Sequence, residues 1–242
     1  MFLQNTTSSS LSTRSTKADS GLRPNLLQHN VKRRKAQSLS RIRPQASSAS
    51  QEPVIDVSPT SPAPSRVRLI TTDNCELGVS LYPNFGYKAA GGGGNGTVTD
   101  LGNGFLRVTW DIDTLVIPDL DWRTGSLFRL PIPPPINIAI KPQRLEGTIK
   151  QDTGEVALDF DCEFFFTLGP LYAAPPLVIN TLLTTESTRG RFREANGSRL
   201  NGNSVRLVGT SNVPKTGDFL LDAFLMLPTD ALAIMDAQMI LE

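Results

Sequence analysis

Histidine is all but missing from this chain, and His29 is the only one. From residue 30 onward there is none, which removes histidine general bases, Ser-His-Asp and Cys-His nucleophile systems and histidine metal ligands from that stretch. Catalysis there would fall to carboxylate pairs or lysine. Cysteine is scarce too. Cys75 and Cys162 are too few for a disulfide scaffold or a cysteine-rich zinc site. Cys162 falls in an apolar row and reads as a buried free thiol. The N-terminus lacks the continuous apolar core of a secretory signal. No stretch reaches the roughly 18 apolar residues of a membrane-crossing helix. The best apolar run, "LPIPPPINIAI", is broken by four prolines.

Charge is present but unevenly placed. Residues 1–50 carry nine basic residues (Arg14, Lys17, Arg23, Lys32, Arg33, Arg34, Lys35, Arg41 and Arg43) against Asp19, a net of +8. The other 192 residues carry 15 basic and 22 acidic residues, a net of −7. Two regions so different are expected to do different jobs. The first is rich in Ser, Thr and Arg, poor in acids and poor in large apolar residues. It cannot bury enough surface to fold alone and reads as a chloroplast transit peptide, processed near Ala46–Gln51. "KRRK" at Lys32–Lys35 also fits a nuclear address, although basic runs are common in transit peptides. Residues 51–64, "QEPVIDVSPTSPAP", read as a Pro/Ser linker.

Residues 65–242 follow a period of two with turn signals between the runs. Strands are expected at Arg66–Thr72, Cys75–Tyr82, Gly104–Ile112, Arg144–Lys150, Glu155–Phe166, Pro176–Thr185 and Ser204–Thr210. The prolines at Pro131–Pro135 mark an edge or crossover between "SLFRLPI" and "INIAI". "KAAGGGGNG" reads as a flexible loop. A phosphate loop would need Lys-Ser/Thr after the glycines and a following helix, and neither is there. "TGDFLLDAFLML", Thr216–Leu227, is the one helix candidate, capped by Thr216 and ended by Pro228. The tail "ALAIMDAQMILE" reads as a closing strand. The expected fold is mainly β, an antiparallel barrel or sandwich of about eight to ten strands with one C-terminal helix.

"GEVALDFDCEFFF" gathers Asp159, Asp161 and Glu163 in five residues. On a strand, Val156, Leu158, Phe160, Cys162, Phe164 and Phe166 share one face and the carboxylates the other. They read as an outer row, with Arg107 or Lys150 as cross-strand partners. If the chain were a histidine-free, carboxylate-dependent hydrolase, Asp111, Asp113 and Asp161 would be its acids. "WDIDTLVIPDLDW" also offers Asp119 and Asp121, beside Asp111 and Asp113, as carboxylate-pair candidates, with loop-face solvation and turn capping as the plainer reading of all four. "STRGRFREANGSR" collects Arg189, Arg191, Phe192, Arg193 and Arg199 into a candidate docking patch for a partner or for anionic headgroups. Replacing Arg191 and Arg193 is expected to weaken such docking and leave the fold intact. The net −7 of the domain argues against general nucleic-acid binding. Arg123 and Arg129 frame "TGSLF" and could face an anion.

"PPLVINTLLTTESTRGRF" and "DAFLMLPTDALAIMDAQMILE" resemble the C-terminal part of uncharacterised plastid-targeted proteins of plants and algae, over about 80 residues. The resemblance implies a plastid address and no activity. The expected role is a non-catalytic accessory protein, stromal or on the stromal side of the thylakoid. It would dock to a plastid complex or hold a small lipid or pigment inside the β structure. A structural subunit of a large plastid complex is the further alternative. No cofactor or metal is expected. The helix would plug the β structure or show an apolar face to a partner.

Overall fold

A computed structural model describes residues 64–242. The transit-peptide reading of residues 1–50, His29 and all but the last residue of the expected linker lie outside the described residues.

The strands, in chain order, are β1 (Arg66–Thr71), β2 (Cys75–Val79), β3 (Phe85–Tyr87), β4 (Gly93–Gly102) and β5 (Phe105–Trp110). Next come β6 (Gly125–Leu127), β7 (Leu130–Pro131), β8 (Ile136–Lys150), β9 (Glu155–Leu168) and β10 (Tyr172–Ala173). Then follow β11 (Leu177–Thr184), β12 (Ser187–Arg189), β13 (Glu194–Asn196), β14 (Ser198–Asn201) and β15 (Ser204–Val213). Helix α1 (Phe219–Leu225) leads into β16 (Thr229–Leu241).

Eight strands close a ring, each antiparallel to the next: β16, β1, β4, β5, β8, β9, β11 and β15, which pairs back to β16. The barrel form of the expected fold is the one adopted. Strand β16 serves two neighbours on one side, β1 through Ala237–Leu241 and β2 through Ala231–Ile234. A flap of β2, β3, β6 and β7 thus extends the sheet beside the barrel. The prolines fall where the sequence places them, on the edge strand β7 and the approach to β8.

Ring contacts are unequal. The β8–β9 hairpin holds 14 paired positions and β15–β16 holds ten, but β11 meets β15 at the single pair Thr184↔Val208.

Alternation decides which residues face in. On β9, Val156, Leu158 and Cys162 are buried, whereas Asp159 is exposed. Asp161, on the same outer row, bonds to Arg144 of β8 at 2.8 Å and accepts from Asn180 at 2.7 Å. The register sets Arg144 opposite Asp161, so Arg144 is the partner in place of Arg107 or Lys150. Lys150 instead lies over the Phe105 ring. A bulge on β8 between Pro142 and Arg144 accommodates a proline that has no N–H for the ladder.

Two readings are corrected. Gly93–Gly96 are strand residues of β4 and not a loop. A Cβ at Gly93 would stand 2.0 Å from the Leu69 carbonyl oxygen, and one at Gly96 would stand 2.5 Å from that of Thr109. The glycines let neighbouring backbones approach. The helix is shorter than expected and is capped by Asp218, whose side chain accepts from the Leu221 N–H at 2.8 Å. Thr216 instead donates, through N–H and hydroxyl, to Asp222.

Candidate functional site: an apolar cavity at one end of the barrel

The barrel core has two parts. At the end that carries the β4–β5 and β8–β9 turns, Leu106, Val108, Val156, Leu158 and Leu207 are completely buried. That half is filled by its own side chains. At the other end, beyond the β8 bulge, the strands and helix α1 border a cavity of about 440 Å³. This lies within the size range of small-molecule sites.

The cavity is built by alternation. Before the bulge, Ile136, Ile138 and Ile140 of β8 line it; Phe166 and Phe164 of β9 stand opposite Ile138 and Ile140, and Cys162 and Phe160 continue the β9 row. Ile179 of β11, Val213 of β15 and Leu77 of β2 extend the wall. Leu69, Leu115, Leu145 and Leu183 form its floor and join the packed half. Helix α1 links β15 to β16 across the far end and lines the cavity with Leu221, Phe224 and Leu225. Phe224 packs against Tyr82 and Phe166, with ring centroids 5.9 and 5.6 Å apart. The Tyr82 hydroxyl donates to the Phe224 carbonyl at 2.7 Å. The Tyr172 hydroxyl donates to Asp218 at 2.5 Å. These contacts hold α1 as a lid.

No lining residue carries a charge. Thr71 donates to the Ala89 carbonyl at 2.5 Å, and Tyr87 to that of Pro118. Burial pushes the Cys162 thiol up to about 12, with the nearby Asp161 charge adding to it. Burial is also the main cause that raises Cys75 and Tyr87. At neutral pH these groups are uncharged, and both free thiols behave as small apolar walls. The cavity offers dispersion contact and an exclusion of water. It offers a charged headgroup no counter-ion.

None of the acidic candidates lines this cavity. Asp111 and Asp113 sit in the turn after β5, where Asp111 accepts from the Asp113 N–H at 3.1 Å. Asp161 lies on the outer face of β9. Its carboxyl is held below the ordinary range, first by Asn180 and then by Arg144. Asp121 caps its own turn through the Arg123 and Thr124 amides, and Asp119 accepts from Asn137. Among the described residues, no group of three or more Cys, Asp or Glu is placed to hold a metal.

The arginine patch is dispersed. Arg189 pairs with Glu194 at 2.5 Å and Arg199 with Glu186 at 2.8 Å. Arg191 stacks over Phe192 and is exposed. Arg193 is a structural tie. It donates to Ser80 and Val79 carbonyls at 3.1 and 3.0 Å, to Asn84 at 2.5 Å and to the Tyr82 carbonyl. Its guanidinium lies against Gly78, where a Cβ would come within 2.5 Å of it. Replacing Arg193 would therefore disturb the β2–β3 turn, contrary to the expectation of an intact fold.

Comparisons with protein-family models, with curated proteins and with solved structures found no match.

Proposed function

We propose that this protein is a carrier, holding one small, uncharged, apolar molecule, a lipid or a pigment, inside the barrel. The observation that carries the reading is the 440 Å³ cavity with no charged residue on its wall. Eight-stranded barrels have an interior wide enough for side-chain packing or for one small ligand, and this barrel divides its interior between the two. The hydroxyls of Tyr87 and Thr71 are engaged by backbone carbonyls, which favours a ligand recognised by shape over one recognised by a polar head. A free fatty acid would bring a carboxylate into a wall without a cation, at a desolvation cost of several kcal/mol. The plastid setting belongs to the proposal and rests on the Ser/Thr- and Arg-rich composition of residues 1–50.

The test is native mass spectrometry of the protein purified from its own cells, followed by solvent extraction. A stoichiometric adduct that extracts as a neutral apolar compound is expected. A bare chain that also fails to bind a fluorescent apolar probe would sink the carrier reading.

A further inference from the structure

The lid that closes the cavity carries a second apolar surface on its outer side. Six large apolar side chains among the described residues are 60% exposed or more: Leu81, Phe128, Leu130, Leu171, Phe219 and Leu220. Every other exposed large apolar side chain is at 56% or below. The six are not scattered. Phe219 and Leu220 are on α1 itself. Leu81 precedes Tyr82, which packs on Phe224 of the lid. Leu171 precedes Tyr172, which bonds to the helix cap. The β6–β7 tip reaches the same end by register. Leu77 pairs with Phe85 and Gly86 with Ser126, so the tip beyond Leu127 projects on the side of the β2–β3 turn. Leu127 itself lines the cavity. The six thus form a collar around the mouth.

Two further observations separate this collar from incidental surface. Phe128 and Arg129 form the two-residue turn between Leu127 and Leu130, with φ of 54° and 66°. Such a turn favours Asn-Gly, and a bulky residue at positive φ is strained. The turn holds a phenylalanine at the tip of the flap, 74% exposed, in spite of that strain. The charges also suit an anionic surface. Arg129 and Arg191 are exposed and enter none of the ion pairs among the described residues. The carboxylates of the helix turn back into the protein, Asp218 onto Leu221 and Tyr172, and Asp222 onto Thr216.

We infer that this collar docks on a lipid bilayer and seats the cavity mouth against the acyl region. Apolar side chains enter the headgroup boundary, and Arg129 and Arg191 meet lipid phosphates. The geometry lets an apolar molecule pass between bilayer and cavity under α1 without crossing water. Docking rests on the collar alone and does not require that the cavity be filled.

Co-sedimentation of the full chain with phosphatidylcholine vesicles, with and without phosphatidylglycerol, tests this. The basic segment 1–50 is the same in every variant, so differences report the folded domain. Phe128→Asn with Phe219→Ser should lower partitioning about tenfold or more on both vesicle types. Leu101→Ser with Phe105→Ser, at the opposite end, should leave it unchanged. Arg129→Glu with Arg191→Glu should weaken binding only to the anionic vesicles. Unchanged partitioning of the Phe128/Phe219 variant overturns the inference. So does an equal loss from the Leu101/Phe105 variant, or a chain that self-associates and ignores vesicles. Solvent extraction of the same preparations reports the cavity separately: bound ligand with unaltered vesicle binding defeats the collar and leaves the carrier standing.

Discussion

Leu158 and Phe160 are neighbours on the inner face of β9, yet their surroundings differ. Leu158 is fully buried among Val108, Leu145 and Leu207. Phe160, one inward position on, borders open space. The same contrast divides the barrel. One half gains its stability by close packing; the other gives up contact in exchange for room. A filled interior loses dispersion energy when any atom is removed, whereas an interior that is already hollow has less to lose. Stability and ligand capacity are thereby assigned to different lengths of the same strands.

The contrast is open to breakage. Leu158→Ala should cost about 2–5 kcal/mol in urea unfolding, and Ile138→Ala nearer 1 kcal/mol because no new void is sealed there. Equal losses would mean that the halves are equally packed. The alkaline limb should be next in size. Cys162 titrates at about 12 when folded and at 9.0 in its ordinary state. The unfolded chain therefore loses its proton first, and the stabilisation, complete below pH 9, is lost as pH rises above it, by about 1.4 kcal/mol per unit. Cys75 acts in the same direction. Denaturation midpoints above pH 9 should fall less steeply in Cys162→Ala, and an unaltered slope would place the effect elsewhere. Ile138→Trp should fill part of the cavity and weaken binding of an apolar probe about tenfold, or about 1.4 kcal/mol, with little change in stability. Smallest is Phe128→Asn, which should raise stability by up to about 1 kcal/mol through relief of the turn. A raised urea midpoint at constant m-value would check it.

Much of the packed half was legible in the sequence. Strict alternation on β5 and β9 assigns Leu106, Val108, Val156 and Leu158 to the interior, and burial follows. Thr216 is the cap expected from the sequence, and the hydrogen bond from the Leu221 N–H assigns that role to Asp218. The hollow half was less legible, because a cavity is an absence shared by strands far apart in the chain. Ile138 and Phe164 are strong apolar residues whether or not anything stands between them. Arg193 reads as surface in the sequence because its partners are turn carbonyls more than 100 positions away. Gly93–Gly96 resemble a loop by composition, and only the close approach of β1 to Gly93, of the segment after β5 to Gly94 and of β5 to Gly96 shows why these three positions lack side chains.

The bulge at Gln143 acts as a change of phase in a period-two code. Before it, even-numbered residues of β8 face inward; after it, odd-numbered ones do, with Leu145 and Ile149 buried. Gln143 is the extra residue that the bulge absorbs: with it deleted the ladder would run unbroken, and Ile136, Ile138, Ile140, Leu145 and Ile149 would fall on one continuous inward row. On β8 the mouth and the base of the barrel are thus written in separate reading frames, whereas β9 keeps a single frame from Val156 to Phe166.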